Sequence, residues 1–186
     1  ARVTIEDGVN GKFALKTLTK PELKRRFQSE VKYQRKFNHL NIVKIFNFDL
    51  DADPPRFIMP VAECNFRAYL NNLVSQDRIR FAIPILHNIL DGLQEIHSVR
   101  KYHRDLKPEN VLIFKSDFGQ FGAISDFGLV GGKVDYQTTK LTFTGTTAGT
   151  EAYMAPECAK DFENADHRAD IFAFGCILHD VFVNTW

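Results

Sequence analysis

Apolar positions follow different rules in the two halves of the chain. In "VTIEDGVNGKFALKTL", β-branched and aromatic residues flank Asp7-Gly8 and Asn10-Gly11, dipeptides that favour tight turns. This predicts a hairpin whose second strand runs from Phe13 to Leu18. Pro21 opens "PELKRRFQSEVKYQRKFNHL", where Leu23, Phe27, Val31 and Phe37 recur at helical spacing beneath dense charge, the mark of an amphipathic helix. "NIVKIFNFDL" and "RFIMPVAE" read as two strands joined by a turn through "DADPP". The first sixty or so residues therefore read as a small sheet with one helix.

After Pro60 the pattern turns helical. "RIRFAIPILHNILDGLQEIH" sets Ile79, Ile83, Leu86, Leu90, Leu93 and His97 on one face of a long helix, interrupted near its start by Pro84. "NVLIF" and "FGAIS" are short strands, and "TTKLTFTGTTAGT" is an aperiodic loop. "ADIFAFGCILHDVFV" is apolar nearly all round, as in a helix buried at the centre of a domain.

Composition is ordinary for a globular protein: of 186 residues, 44% are hydrophobic and 25% charged. Twenty-four Lys and Arg against 23 Asp and Glu leave a net charge of +1, so no large field attracts nucleic acid or an anionic membrane. No apolar run approaches the ~18 residues that span a bilayer, and membrane insertion is not expected. Cys64, Cys158 and Cys176 form neither a disulfide framework nor a CxxC pair, and they read as buried thiols of an intracellular, most simply cytoplasmic, protein.

The chemistry concentrates in "YHRDLKPENVLI". Asp105, Lys107 and Asn110 put a carboxylate, an ammonium and an amide in one short loop before a strand. Such a carboxylate can take the proton of a hydroxyl, the ammonium can neutralise a phosphoryl oxygen, and the amide carbonyl can ligate a hard cation. A solvated polar loop would explain any one of them, but not this order. The segment resembles the eukaryotic-type protein kinases, whose catalytic loop reads H-R-D-L-x-x-x-N.

That resemblance implies a two-lobed α+β fold with a small sheet lobe at 1–59, a hinge at 60–64 and a mainly helical lobe at 65–186. It implies ATP and Mg2+ as cofactors, and a protein substrate offering a Ser or Thr hydroxyl. "FALK" resembles the strand that supplies Lys16 to the α- and β-phosphates, and Glu30, in register with His39 and "NIV", is its expected partner. Met59 corresponds to the gatekeeper; the Pro60 carbonyl and the Ala62 backbone groups would face adenine, with Val3, Ala14 and Leu112 packing on its ring. Ala155-Pro156-Glu157 and "DIFAFG", with Asp170 bracing the catalytic loop, resemble two further family segments. Arg104 is read as a partner for a phosphate on the activation segment, with Thr138, Thr139, Thr142, Thr144, Thr146 and Thr147 all open as acceptors. Lys107 together with Thr150 resembles the Ser/Thr-directed members.

Ser-Asp-Phe-Gly occurs twice, at 116–119 and 125–128. The metal-binding aspartate must converge with Asp105 on one nucleotide, so a hairpin should carry the chain out from Asn110 and back. Asp117 falls at its turn and Asp126 at its return, which assigns Mg2+ to Asn110 and Asp126 and leaves the first copy a turn. Two departures stand out. Only "ARV" resembles the tail of the family's glycine-rich loop, whose rest is expected upstream, and further helices are expected after Trp186; both ends read as cut from a longer protein, so exposed apolar surface, poor stability and little activity are expected of this stretch alone. Gln34 stands where an apolar residue should pack towards Phe127. A catalytically silent pseudokinase acting as a scaffold is the rival reading.

Overall fold

The computed structural model describes residues 1–9, 11–130, 151–162 and 164–183. Strands β1 (Arg2–Gly8) and β2 (Gly11–Thr17) pair antiparallel from Arg2↔Thr17 to Gly8↔Gly11. Gly11 sits at φ +112°, a conformation open to glycine and strained for other residues, which is why the reversal falls there. β3 (Asn47–Asp49) and β4 (Arg56–Met59) complete a four-stranded sheet of order β1-β2-β4-β3. After one 3-10 turn at Pro21–Leu23, helix α1 (Lys24–Gln34) lays Phe27 and Val31 on this sheet; the Phe27 and Phe57 rings meet at 5.3 Å.

The strand expected over "NIVKIFNFDL" is shorter than the pattern predicts, beginning only at Asn47. Two residues before it, Asn41 and Val43, are tied to the other half of the molecule, while Phe46 N already donates to Ile58 O of β4 at 2.8 Å. Asn41 O accepts from Ile124 N at 2.9 Å and Val43 N donates to Ile124 O at 2.9 Å, so their backbone groups are not available to a strand of the small sheet.

The larger part contains α2 (Phe66–Asn72), α3 (Ser75–Ser98), α4 (Pro156–Lys160) and α5 (His167–Val183). A second sheet, β5 (Cys64–Asn65), β6 (Val111–Ser116) and β7 (Gly119–Ile124), lies against α3. The apolar face of α3 differs from the one the spacing selects. Ala82, Ile85, Leu86, Ile89, Leu93 and Ile96 are buried, while Ile79, Ile83 and Leu90 are exposed. Two overlapping i, i+3/i+4 series run along this helix, and packing favours the one carrying Ile85: Gly122 of β7 approaches so closely that a Cβ would lie 2.8 Å from Ile85 Cγ2. Pro84 does not interrupt α3; it faces solvent, where water can take the carbonyl it leaves without a partner.

Helix α5 buries Ala169, Asp170, Ala173, Phe174, Ile177 and Val181 but leaves Ile171, Phe172, Phe182 and Val183 exposed, so it is packed on one side rather than all round. Of the three cysteines only Cys158 is buried; Cys64 and Cys176 are half-buried, and all three are free thiols. No helix among the described residues is long and apolar enough to cross a membrane.

Candidate active site

The cleft between the sheet and the helical part collects side chains from five segments. Lys16, on β2, meets Glu30, on α1, with Nζ 2.5 Å from Oε1, and lies 3.9 Å from Asp126 Oδ2. Burial alone would lower the Lys16 pKa, but the charges of Asp126 and Glu30 outweigh it and raise it. Burial pushes the Glu30 carboxyl up to about 7, with Lys16 pulling the other way.

The loop before β6 is held from below. Asp170, wholly buried on α5, accepts from His103 N at 2.8 Å and Arg104 N at 2.7 Å, and its Oδ2 lies 2.7 Å from His97 Nε2. Arg104 adopts φ 62°, left-handed for a non-glycine residue, at a cost of about 1–3 kcal/mol that these bonds offset. Its guanidinium donates to the Ala165 carbonyl at 2.6 and 3.0 Å. The activation-segment threonines, Thr150 among them, lie outside the described residues.

Asp105, Lys107 and Asn110 emerge from this braced loop. Lys107 Nζ is 3.5 Å from Asp105 Oδ1, and Asn110 Nδ2 donates to the Asp105 carbonyl at 2.7 Å. The Asn110 backbone carbonyl accepts from Ser125 N at 2.8 Å and Ser125 Oγ at 2.9 Å, which ties the loop to the segment carrying Asp126. His103 reinforces that tie, its Nε2 lying 2.9 Å from Ser125 O and its ring edge-on to Phe127 at 5.3 Å. Asp126 is left-handed, at φ 64°. Burial would raise its pKa, but Lys16, Arg26, His103 and Lys107 hold it below the usual carboxylate range.

The other Ser-Asp-Phe-Gly copy forms the β6–β7 turn. Ser116 pairs with Gly119, leaving Asp117 and fully exposed Phe118 at the tip, with Gly119 at φ +119°. Five residue steps separate this turn from the Val111↔Ile124 pair, or roughly 17 Å along the strands.

Around the expected adenine site, Ala14 pairs with Met59 across β2 and β4, and both share a hydrophobic cluster with Ala62 and Leu112. Pro60 is half-buried beside them. Val3 pairs with Lys16 across β1 and β2 and is exposed.

Gln34 does not face Phe127 through an apolar contact. Phe37 supplies that, at 5.5 Å between rings, and Gln34 Nε2 instead donates to the Val43 carbonyl at 2.7 Å. Sequence reasoning also missed Arg26, whose NH2 lies 3.0 Å from Asp105 Oδ2 and 3.6 Å from Asp126 Oδ1. The signal was present: Arg26 precedes Glu30 by four residues and so shares its helix face.

The donor set fits a hard divalent cation. Asp126 offers carboxylate oxygens, Asn110 an amide oxygen whose nitrogen is already committed, and cationic side chains gather around Asp126 as its charge demands. Among the described residues, no group of three or more His, Cys, Asp or Glu forms a cage, so such an ion would need further oxygen ligands, from water or phosphate.

The protein kinase domain family matches residues 3–185. The chain belongs to that family. It is 33% identical over 165 residues to the serine/threonine-protein kinase Pkn1 of Myxococcus xanthus, covering 87% of this chain and 23% of that protein. It is 31% identical over 158 residues to the serine/threonine-protein kinase PknL of Mycobacterium tuberculosis, covering 84% of this chain and 37% of that protein. The chain thus spans well under half the length of these relatives. Among solved structures, a chain of the yeast RNA polymerase II CTD kinase complex CTDK-1 superposes with a TM-score of 0.71 at 22% identity, covering 98% of this chain and 59% of its own. The two-lobed α+β kinase fold is therefore this kinase domain's own.

Proposed function

We propose that this kinase domain transfers the γ-phosphate of Mg-ATP to serine and threonine hydroxyls of protein substrates. The observation that carries the reading is the convergence of Asp105, Asn110 and Asp126 with the Lys16–Glu30 pair, whose Nζ–Oε1 distance is 2.5 Å. The two relatives named as serine/threonine-protein kinases support the acceptor class.

Residues 1–59 and 65–186 act as the two lobes and 60–64 as the hinge. Adenine packs between Ala14 and Leu112 under Val3, with Met59 behind it and the backbone of Pro60 and Ala62 along its edge. Lys16, oriented by Glu30, binds the α- and β-phosphates. Asp126 and the Asn110 amide oxygen would hold Mg2+, which would supply neutralisation of phosphate charge. Asp105 orients the acceptor hydroxyl and takes its proton as the hydroxyl oxygen bonds to the γ-phosphorus and the bond from phosphorus to ADP breaks. Lys107 balances charge on the phosphoryl oxygens in flight. The catalytic power is mainly positioning and electrostatics.

The test is transfer of labelled γ-phosphate to a generic Ser/Thr protein substrate by wild type, Asp117→Asn and Asp126→Asn. Wild type and Asp117→Asn should be active and Asp126→Asn inactive. A folded wild type that transfers nothing would instead favour a scaffold that keeps the fold without the reaction.

A further inference from the structure

Helix α1 sends two side chains of opposite sign into the cleft. Glu30 pairs with the phosphate-binding lysine; Arg26, one turn earlier, crosses to the far side and bridges Asp105 and Asp126. This bridge joins the small lobe to both carboxylates on which the proposed reaction depends. Its placement is built in. The Arg26 stem packs flush on Gly128, where a Cβ would come within 2.7 Å of Arg26 Cγ and Nε. The guanidinium is largely buried, its charge answered by the carboxylates it touches.

We infer that Arg26 is an internal counter-ion that competes with the divalent metal for Asp126, so that its withdrawal sets how readily the site loads. The inference rests on the functional reading above and assigns a regulation to that site. At the cleft, Lys16, Arg26 and Lys107 face Glu30, Asp105 and Asp126, three positive groups against three negative. A divalent ion at Asp126 adds two positive charges to that balanced set, within a few ångströms of a guanidinium that cannot deprotonate. Metal and guanidinium therefore oppose each other for one carboxylate, and whatever draws α1 or the Arg26 side chain away favours loading. Arg26 borders a cavity of about 200 Å³ shared with Lys16, Leu18, Leu23, Phe27, Glu30 and Asp126, so open space lies beside its side chain at the carboxylate under competition. Because coupling is reciprocal, loading the metal disfavours the Arg26–Asp126 contact by the same free energy.

The test reads metal binding rather than turnover. Mn2+ is titrated by electron paramagnetic resonance, with a non-hydrolysable ATP analogue present, into wild type, Arg26→Gln, Arg26→Lys and Asp126→Asn, each checked for a cooperative melt. Arg26→Gln should tighten Mn2+ binding by about tenfold, within the usual range of site-to-site coupling. Arg26→Lys, which keeps the charge, should tighten it less. Unchanged or weaker binding in Arg26→Gln, or equal tightening in Arg26→Lys, overturns the inference while Asp126-dependent binding in wild type leaves the functional reading standing. Absence of Asp126-dependent binding in both wild type and Arg26→Gln overturns that reading and the inference with it.

Discussion

The buried carboxylate of Asp170 accepts the backbone N–H of Arg104 at 2.7 Å across 66 positions of sequence, and that bond fixes a left-handed residue immediately before Asp105. The same side chain takes His103 N and meets His97 Nε2, so an alanine would leave three polar groups without their partner. Asp170→Ala should cost about 3 kcal/mol or more in stability, the range for breaking a buried charged hydrogen-bond set. Turnover should fall further than stability explains, because Asp105 loses its frame. Asp170→Asn keeps one acceptor and should fall between. Denaturant unfolding and phosphate-transfer rates read both effects, and an Asp170→Ala protein of unaltered stability would remove this carboxylate from the account.

Glu30 gives the fold a pH dependence of definite sign. Its folded value, about 7, lies above the ordinary 4.5, chiefly because burial disfavours the carboxylate. Between those values the folded chain holds more protons than the unfolded one, so Glu30's contribution to stability is fully present below about 4.5 and is lost as the pH rises through about 7. Asp126 has the opposite shift and stays ionised throughout that window. Melting temperatures recorded from about pH 5 to about pH 8 should show a declining component in wild type that Glu30→Gln removes; an identical slope in both would assign it elsewhere.

Gly92 and Gly175, both inside helices, should respond in opposite directions to alanine. A Cβ on Gly92 would lie 2.7 Å from the Asn41 carbonyl oxygen, the same atom that accepts from Ile124 N, so the clash falls on backbone that cannot rotate away. Gly92→Ala should destabilise by about 1–3 kcal/mol through overpacking. Gly175 on α5 has nothing within 4 Å of an added Cβ, and Gly175→Ala should stabilise by about 0.5–1 kcal/mol through helix propensity. Unfolding curves of the two variants decide the point.

The parts legible in the sequence were those where local chemistry and tertiary demand agree. The β6–β7 hairpin needed only two short apolar runs and turn chemistry between them, and the body of α1 followed from the spacing of Phe27 and Val31, although the helix ends at Gln34, before Phe37. Lys16, Glu30, Asp105, Asn110 and Asp126, read from motif order, are brought into one cleft. Where long-range packing chose between locally equivalent options, the reading failed. Ile79, Ile83 and Leu90 fit a helical stripe as well as Ile85 and Ile89 do, and it is tertiary packing, with Gly122 of β7 set closely against Ile85, that separates them. The residues from Asn41 to Phe46 have strand chemistry, yet the Asn41 carbonyl and the Val43 N–H bond to Ile124, a partner more than eighty positions distant that no local pattern announces. Arg26 was passed over because a basic residue on a charged helix is ordinarily solvated; its carboxylate partners lie far along the chain.

Gln34 shows how a polar residue can occupy an expected apolar position. It is 1% exposed, and its amide nitrogen satisfies the Val43 carbonyl at 2.7 Å while Oε1 has no hydrogen-bond partner among the described residues. Two substitutions separate the contributions. Gln34→Leu abandons the Val43 carbonyl but also removes the unsatisfied oxygen and buries more apolar surface; those effects oppose each other, and a loss of about 1 kcal/mol is expected. Gln34→Glu replaces the donor with a second acceptor facing the same carbonyl and adds a buried charge on the helix face that already carries Glu30. It should cost about 3 kcal/mol or more, with the deficit shrinking as the pH falls and the new carboxyl takes up a proton that can be donated to Val43 O. Denaturant unfolding at neutral and mildly acidic pH tests both, and a Gln34→Glu protein as stable as Gln34→Leu at neutral pH would show that the amide's donor is not what this position requires.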